Sequence, residues 1–244
     1  MSTFLRWTSI PTASQVLVHV YTASGVLLAF AATLELVSAA PDPRLVFVLL
    51  AAAVLVDATD GPLARRVEVK RRLPSIDGRT IDNIVDYLTY TFVPLLLVWR
   101  MGWLPDPALL WIAPALLASL FGFANTAAKD EAGGFFLGFP SYWNVVAFYA
   151  GYAYHLYGPW ANAWVFLLLA LLTVLPARFL YPNLATKPWR APVFVGALVW
   201  LGLMLWMLRG YPRTPEWLIW LSLVYPVFYF WLSYRLAVRR QFPR

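Results

Sequence analysis

Eight apolar stretches, each about as long as a bilayer is thick, run through a chain of only 244 residues. They lie near residues 14–38, 44–65, 79–99, 107–127, 141–157, 160–181, 189–209 and 215–237. A crossing helix needs about 20 predominantly apolar residues, so the stretches leave only short connections between them. Proline and glycine punctuate most of the junctions, among them Pro41, Pro105, Gly134, Gly158, Pro182 and Pro212; such residues end helices. The expectation is an all-α polytopic membrane protein of about eight transmembrane helices, a single integral membrane domain over 1–244. Residues 1–13, with Phe4, Leu5, Trp7 and Ile10 among polar neighbours, are expected to lie along the interface. Composition agrees: 13% of residues are charged, against about 25% in an ordinary soluble domain.

The net charge of +7 would suit a nucleic-acid-binding protein, but the basic residues sit between apolar stretches, which excludes that partner. Their distribution gives an orientation instead. If the N-terminus is cytoplasmic, fifteen of the nineteen Lys and Arg fall on that side, and only Arg44, Arg100, Arg209 and Arg213 on the other. By the positive-inside bias, both termini and the loop between the second and third spans face the cytoplasm. Rare residues narrow the chemistry. There is no cysteine, and the two histidines, His19 and His155, are far apart. Thiolate and histidine-rich metal sites are thereby excluded, and any resident metal is a hard cation on oxygen ligands.

A carboxylate inside a span costs about 2.5–3.5 kcal/mol on the insertion scale. Four of the twelve acids nevertheless gather on two adjoining stretches: Asp57 and Asp60 end the second, and Asp82 and Asp86 begin the third. Positions 57, 60, 61, 64 and 65 share a helical face, as do 78, 82 and 86. A short connection makes the two helices antiparallel neighbours, so the acidic faces meet at the cytoplasmic end. Carboxylates this crowded repel one another unless cations sit between them, and one or two Mg²⁺ or Mn²⁺ ions are the physical expectation. The competing reading takes the acids as helix caps, or as partners of Arg65, Arg66 and Arg79. Small Gly61 and Ala64 favour a ligand site, because they bare the helix surface beside the planar fork of Arg65.

In order, Asp57-Ala-Thr-Asp60-Gly61-Pro-Leu-Ala64-Arg65, twelve residues, then Gly78-Arg-Thr-Ile-Asp82-Asn-Ile-Val-Asp86 resembles the CDP-alcohol phosphotransferase family motif, D-x2-D-G-x2-A-R, a spacer, G-x3-D-x3-D. The twelve-residue spacer is longer than in most members and is similar to that of the bacterial phosphatidylcholine synthase branch. The segment from Gly138 to Asn144 resembles that branch as well. The resemblance implies a metal-dependent transferase with Asp57, Asp60, Asp82 and Asp86 around two Mn²⁺ or Mg²⁺ ions. Asp86 would also act as base, and Gly61, Ala64, Arg65 and Gly78 would line the CDP site. The implied reaction moves the phosphatidyl group of CDP-diacylglycerol to an alcohol, choline in this branch, and releases CMP. It also implies the inner membrane of a bacterium and a homodimer, since relatives are commonly homodimers.

The acceptor site is less sharply written. A quaternary ammonium binds best on aromatic faces, and Tyr142, Trp143 and Asn144 begin a span on the side of the acids; interface belts of Trp and Tyr are the competing explanation. Serine, inositol or glycerol phosphate are the alternative acceptors, with Arg178, Lys187 and Arg190 as a rival phosphate-binding cluster. A divalent-cation transporter is a third reading, although it would spread its acids along a path near the midplane. His19 is read either as touching the nucleotide or as packing, and Glu35, deep on the far side, is expected to snorkel or pair.

Overall fold

Residues 13–125, 127–130 and 133–241 are described by a computed structural model; all of the expected interfacial segment except Ala13 lies outside the described residues. The chain divides into two compact units, Met1–Leu97 and Val98–Arg244.

In the first unit, α1 (Ala13–Leu36) and α2 (Pro43–Arg66) are followed by the single turn α3 (Val69–Arg72). A rod then runs over Gly78–Arg100, built from α4 (Gly78–Asp86), a π-helical segment Tyr87–Phe92 and α5 (Val93–Arg100). Helix α1 packs against both α2 and α4. Local chemistry sets the helix starts. Asp42 caps α2 by accepting from the Arg44 N–H at 2.9 Å, and Pro43 supplies a first residue that has no N–H to satisfy. Asp77 caps α4, accepting from the Arg79 N–H at 3.1 Å and from the Thr80 hydroxyl at 2.6 Å. Glu35, expected to snorkel or pair, instead accepts the Asp42 N–H at 2.7 Å and ties down the α1–α2 turn.

In the second unit, α6 (Leu109–Ala124), α7 (Trp143–Tyr157), α8 (Pro159–Val174), α9 (Arg190–Met207) and α10 (Glu216–Gln241) occupy the remaining apolar stretches. The chain is a helical, multi-pass membrane protein, 76% helix. Among the described residues, five helices are long and apolar enough to cross a bilayer: α1, α2, the Gly78–Arg100 rod, α9 with its terminal turn, and α10. Helices α6 and α8 have 16 residues each and α7 has 15. At 1.5 Å per residue these three span only about 24 Å, short of a hydrocarbon core of about 30 Å.

One expectation is corrected here. The sixth stretch does not continue as helix to residue 181: α8 stops at Val174, and Arg178–Leu180 is a strand. Pro176 follows the helix, and a residue before proline is pushed out of the α region; Leu175 is extended, at φ −76° and ψ 146°. The strand, β3, joins β1 (Lys129–Asp130) and β2 (Phe135–Leu137) in a small antiparallel sheet ordered β1-β2-β3. Its outer edge is closed by side chains of α10. The Leu180 N–H donates to Ser233 Oγ at 3.0 Å, and the Tyr229 hydroxyl donates to the Leu180 carbonyl at 2.7 Å. Backbone groups away from water require such partners, and helix α10 supplies them.

Candidate active site

Three carboxylates converge in the first unit. One oxygen each from Asp57 on α2 and from Asp82 and Asp86 on α4 lie within 4.8 Å of one another. All three residues are half-buried. Two oxygens on one Mg²⁺ are at most about 4.2 Å apart, twice a bond of about 2.1 Å, so the group needs only a small closing movement to share a cation. The donors are all hard oxygens, which fits Mg²⁺ or Mn²⁺ and not a thiophilic metal.

Asp60 is not part of that group. It is buried, at 7% exposure, with its carboxylate in hydrogen-bonding contact with Thr22 of α1. The step from 57 to 60 falls about 60° short of a full helical turn, enough to carry the second carboxylate towards α1. Of four acids expected in one cluster, three share the cation-sized group and the fourth lies beside it.

The small motif residues have visible work. The Arg65 guanidinium lies alongside the bare backbone of Gly61, 3.4 Å from where a Cβ would stand. Ala64 and Arg65 line an open cleft of about 280 Å³ together with Glu68, Val69, Lys70 and Arg71. Glu68 pairs with Arg71 at 2.6 Å and with Arg72 at 3.3 Å. Gly78 opens α4 and lies against the imidazole of His19, so His19 packs on a motif glycine. Gln15, one turn earlier on α1, donates to the Val67 carbonyl at 2.9 Å and fastens the end of α2.

Curated relatives now decide the family. A phosphatidylcholine synthase of Pseudomonas aeruginosa is 45% identical over 166 residues, 68% of this chain and 68% of that protein. One of Rhizobium meliloti is 37% identical over 207 residues, 83% of this chain and 82% of its own length. One of Legionella pneumophila is 33% identical over 225 residues, covering 89% and 86%. The chain belongs to the phosphatidylcholine synthase family. No family model matches it, but relatives over most of its length place it in this branch of the CDP-alcohol phosphotransferases.

Within a phosphatidylcholine synthase, Tyr90 is the site residue that sequence reasoning missed. Its hydroxyl donates to Asp57 Oδ2 at 2.7 Å from the π-helical segment. A signal existed: 78, 82, 86 and 90 are spaced by four, but a tyrosine in an apolar run reads as packing.

The residues expected at the choline site lie in the second unit. Tyr142 and Asn144 are half-buried, whereas Trp143 is fully buried. The indole of Trp143 donates to Ser119 Oγ at 2.7 Å, Ser141 donates to the same oxygen at 3.0 Å, and the ring packs on Phe139 and Phe166. Gly138 begins this segment at φ +87°, where an added Cβ would overlap the Thr173 carbonyl. Only glycine takes both that φ and that approach readily.

Proposed function

We propose that this chain is a phosphatidylcholine synthase that transfers the phosphatidyl group of CDP-diacylglycerol to the hydroxyl of choline, giving phosphatidylcholine and CMP. The observation that carries the reading is the convergence of Asp57, Asp82 and Asp86 on one cation-sized space, in a chain 32–45% identical to phosphatidylcholine synthases.

When bound, a divalent ion supplies Lewis-acid charge to the pyrophosphate oxygens. Asp57, Asp82 and Asp86 hold it, and Asp60 is the fourth carboxylate available to a second ion. Arg65 presents its fork to the phosphates along the cleft it lines with Ala64, and Gly61 and Gly78 keep the neighbouring backbone bare. A free alcohol is a poor nucleophile at neutral pH, and Asp86 takes the choline proton as base. The choline oxygen then forms its bond to the phosphatidyl phosphorus as the bond to CMP breaks, the electron pair leaving with CMP. With no cysteine in the chain, direct transfer is the simplest course. The diacyl chains stay in the bilayer throughout.

Tyr142 and Asn144 are the proposed choline contacts, with Trp143 as their packed support. The same proposal has residues 1–244 form one domain in the bacterial inner membrane, with eight spans, both termini and the acidic site at the cytoplasmic face, and a homodimeric state. Purified protein given CDP-diacylglycerol, Mn²⁺ or Mg²⁺ and a panel of alcohols tests the reading. CMP release with choline supports it; release with serine, inositol or glycerol phosphate and none with choline overturns it.

A further inference from the structure

Asp57 and Tyr90 stand on different helices, 33 residues apart in sequence, yet their side chains meet at 2.7 Å. We infer that Tyr90 is a positioning residue of the metal site: its hydroxyl fixes the Asp57 carboxylate relative to Asp82 and Asp86 and so raises the affinity of the group for a divalent cation. This rests on the reading of those three carboxylates as the ion's ligands.

The backbone is arranged to make that contact. An α-helical step of four overshoots a full turn by about 40°, so a row at 78, 82, 86 and 90 drifts steadily off its face. The π segment Tyr87–Phe92 begins directly after Asp86. Its i→i+5 bonds place more residues in each turn and reverse the drift just where Tyr90 must return to the acidic face. Single π turns concentrate at functional sites, and here the turn has a specific consequence.

The chemistry follows from crowding. Three carboxylates within 4.8 Å repel one another unless cations or hydrogen-bond donors offset their charge. A neutral donor on Asp57 spreads its charge and removes rotational freedom that cation binding would have to remove. Hydroxyl-to-carboxylate bonds are short and strong, and loss of such an outer partner typically lowers metal affinity or activity by about 10–100-fold. A plain interhelical clasp would act differently. The same unit contains one for comparison, Tyr21 Oη to Thr59 Oγ1, also at 2.7 Å but touching no carboxylate.

Mn²⁺ alone, titrated into detergent-solubilised protein and followed by the electron paramagnetic resonance of the free ion, tests the inference. Tyr90→Phe should bind Mn²⁺ roughly 10–100-fold more weakly, recover most of its kcat at saturating Mn²⁺, and leave the KM for choline unchanged. Replacement of Tyr90 by 4-aminophenylalanine, which keeps a donor at the same reach, should restore affinity, and Tyr21→Phe should bind as the unaltered protein does. Should the Phe variant fail to purify, Tyr90→Met gives a second donor-free test. Unchanged Mn²⁺ affinity in the donor-free variant overturns the inference, as does an equal loss in Tyr21→Phe. Unchanged affinity in Asp57→Asn is a separate result, and it removes the ligand reading beneath it.

Discussion

Gly78 lies against the imidazole of His19 so closely that a Cβ at position 78 would stand 3.0 Å from Cε1 and 3.4 Å from Nδ1. Nearly two turns further along α1 the arrangement recurs, with Gly25 against Val85, where an added Cβ would overlap the valine side chain. Small residues let membrane helices approach closely, and here they set the distance of α1 from the helix that carries Asp82 and Asp86.

Gly25→Ala is therefore expected to destabilise the protein by about 1–3 kcal/mol through overpacking, with Val85→Ala in the same chain recovering part of the loss. Gly78→Ala should cost less, since the imidazole can tilt, but should lower turnover more because the added methyl covers backbone assigned to the CDP site. Thermal melts in detergent, paired with rates of CMP release, separate the two effects. Equal losses of stability and turnover for both variants would contradict this.

Exhaustive chelation should abolish CMP release, and Mn²⁺ or Mg²⁺ should restore it. Asp82→Asn and Asp86→Asn should each lose Mn²⁺ binding by at least the roughly 10–100-fold that follows loss of an outer partner. Asp60→Asn should retain more, because Asp60 lies outside the three-oxygen group and against Thr22. Ion binding measured on all three variants checks the order.

At the proposed choline site, Tyr142→Ala should raise the KM for choline and leave that for CDP-diacylglycerol near its original value. A cation–π contact of about 0.5–2 kcal/mol corresponds to a change of roughly 2- to 30-fold. Ser119→Ala should act on stability, because it strands the buried indole N–H of Trp143 and the Ser141 hydroxyl, at about 1–3 kcal/mol. A choline KM that moves with Ser119→Ala and not with Tyr142→Ala would relocate the site.

Asp77 gives a pH dependence of known sign. The Thr80 hydroxyl first, and the Arg79 N–H after it, hold its carboxyl below the ordinary 3.8. A depressed folded value means that the stabilisation is fully present above 3.8 and is lost as pH falls through the lower folded value. Asp77→Asn keeps a capping side chain but should show a shallower acid limb in melting temperature against pH. Identical acid limbs for the two proteins would count against it.

The carboxylate group was legible in the chain because the cost of intramembrane charge makes four acids on two adjoining stretches conspicuous, and the spacing of 82 and 86 places both on one face. What spacing missed at Asp60 was rotation: a step of three leaves enough angle for α1 to claim the carboxylate through Thr22. Glu35 was equally opaque, because its partner is a backbone N–H seven residues away, which no side-chain pattern advertises. The strand Arg178–Leu180 was hidden because three residues, Arg-Phe-Leu, carry too short a pattern to separate a strand from the end of a helix. Pairing with β2 on one edge and the Ser233 and Tyr229 contacts from α10 on the other make the strand tenable.

Membrane class, most helix positions and the candidate acids follow from local quantities: hydropathy, helical period and charge, each set within one turn or one span. The tertiary structure alone decided that three acids and not four share a cation-sized space, that Tyr90 anchors one of them, and that glycines admit His19 and Val85. Those outcomes depend on how one helix is rotated against another, which is fixed by side chains distant in sequence.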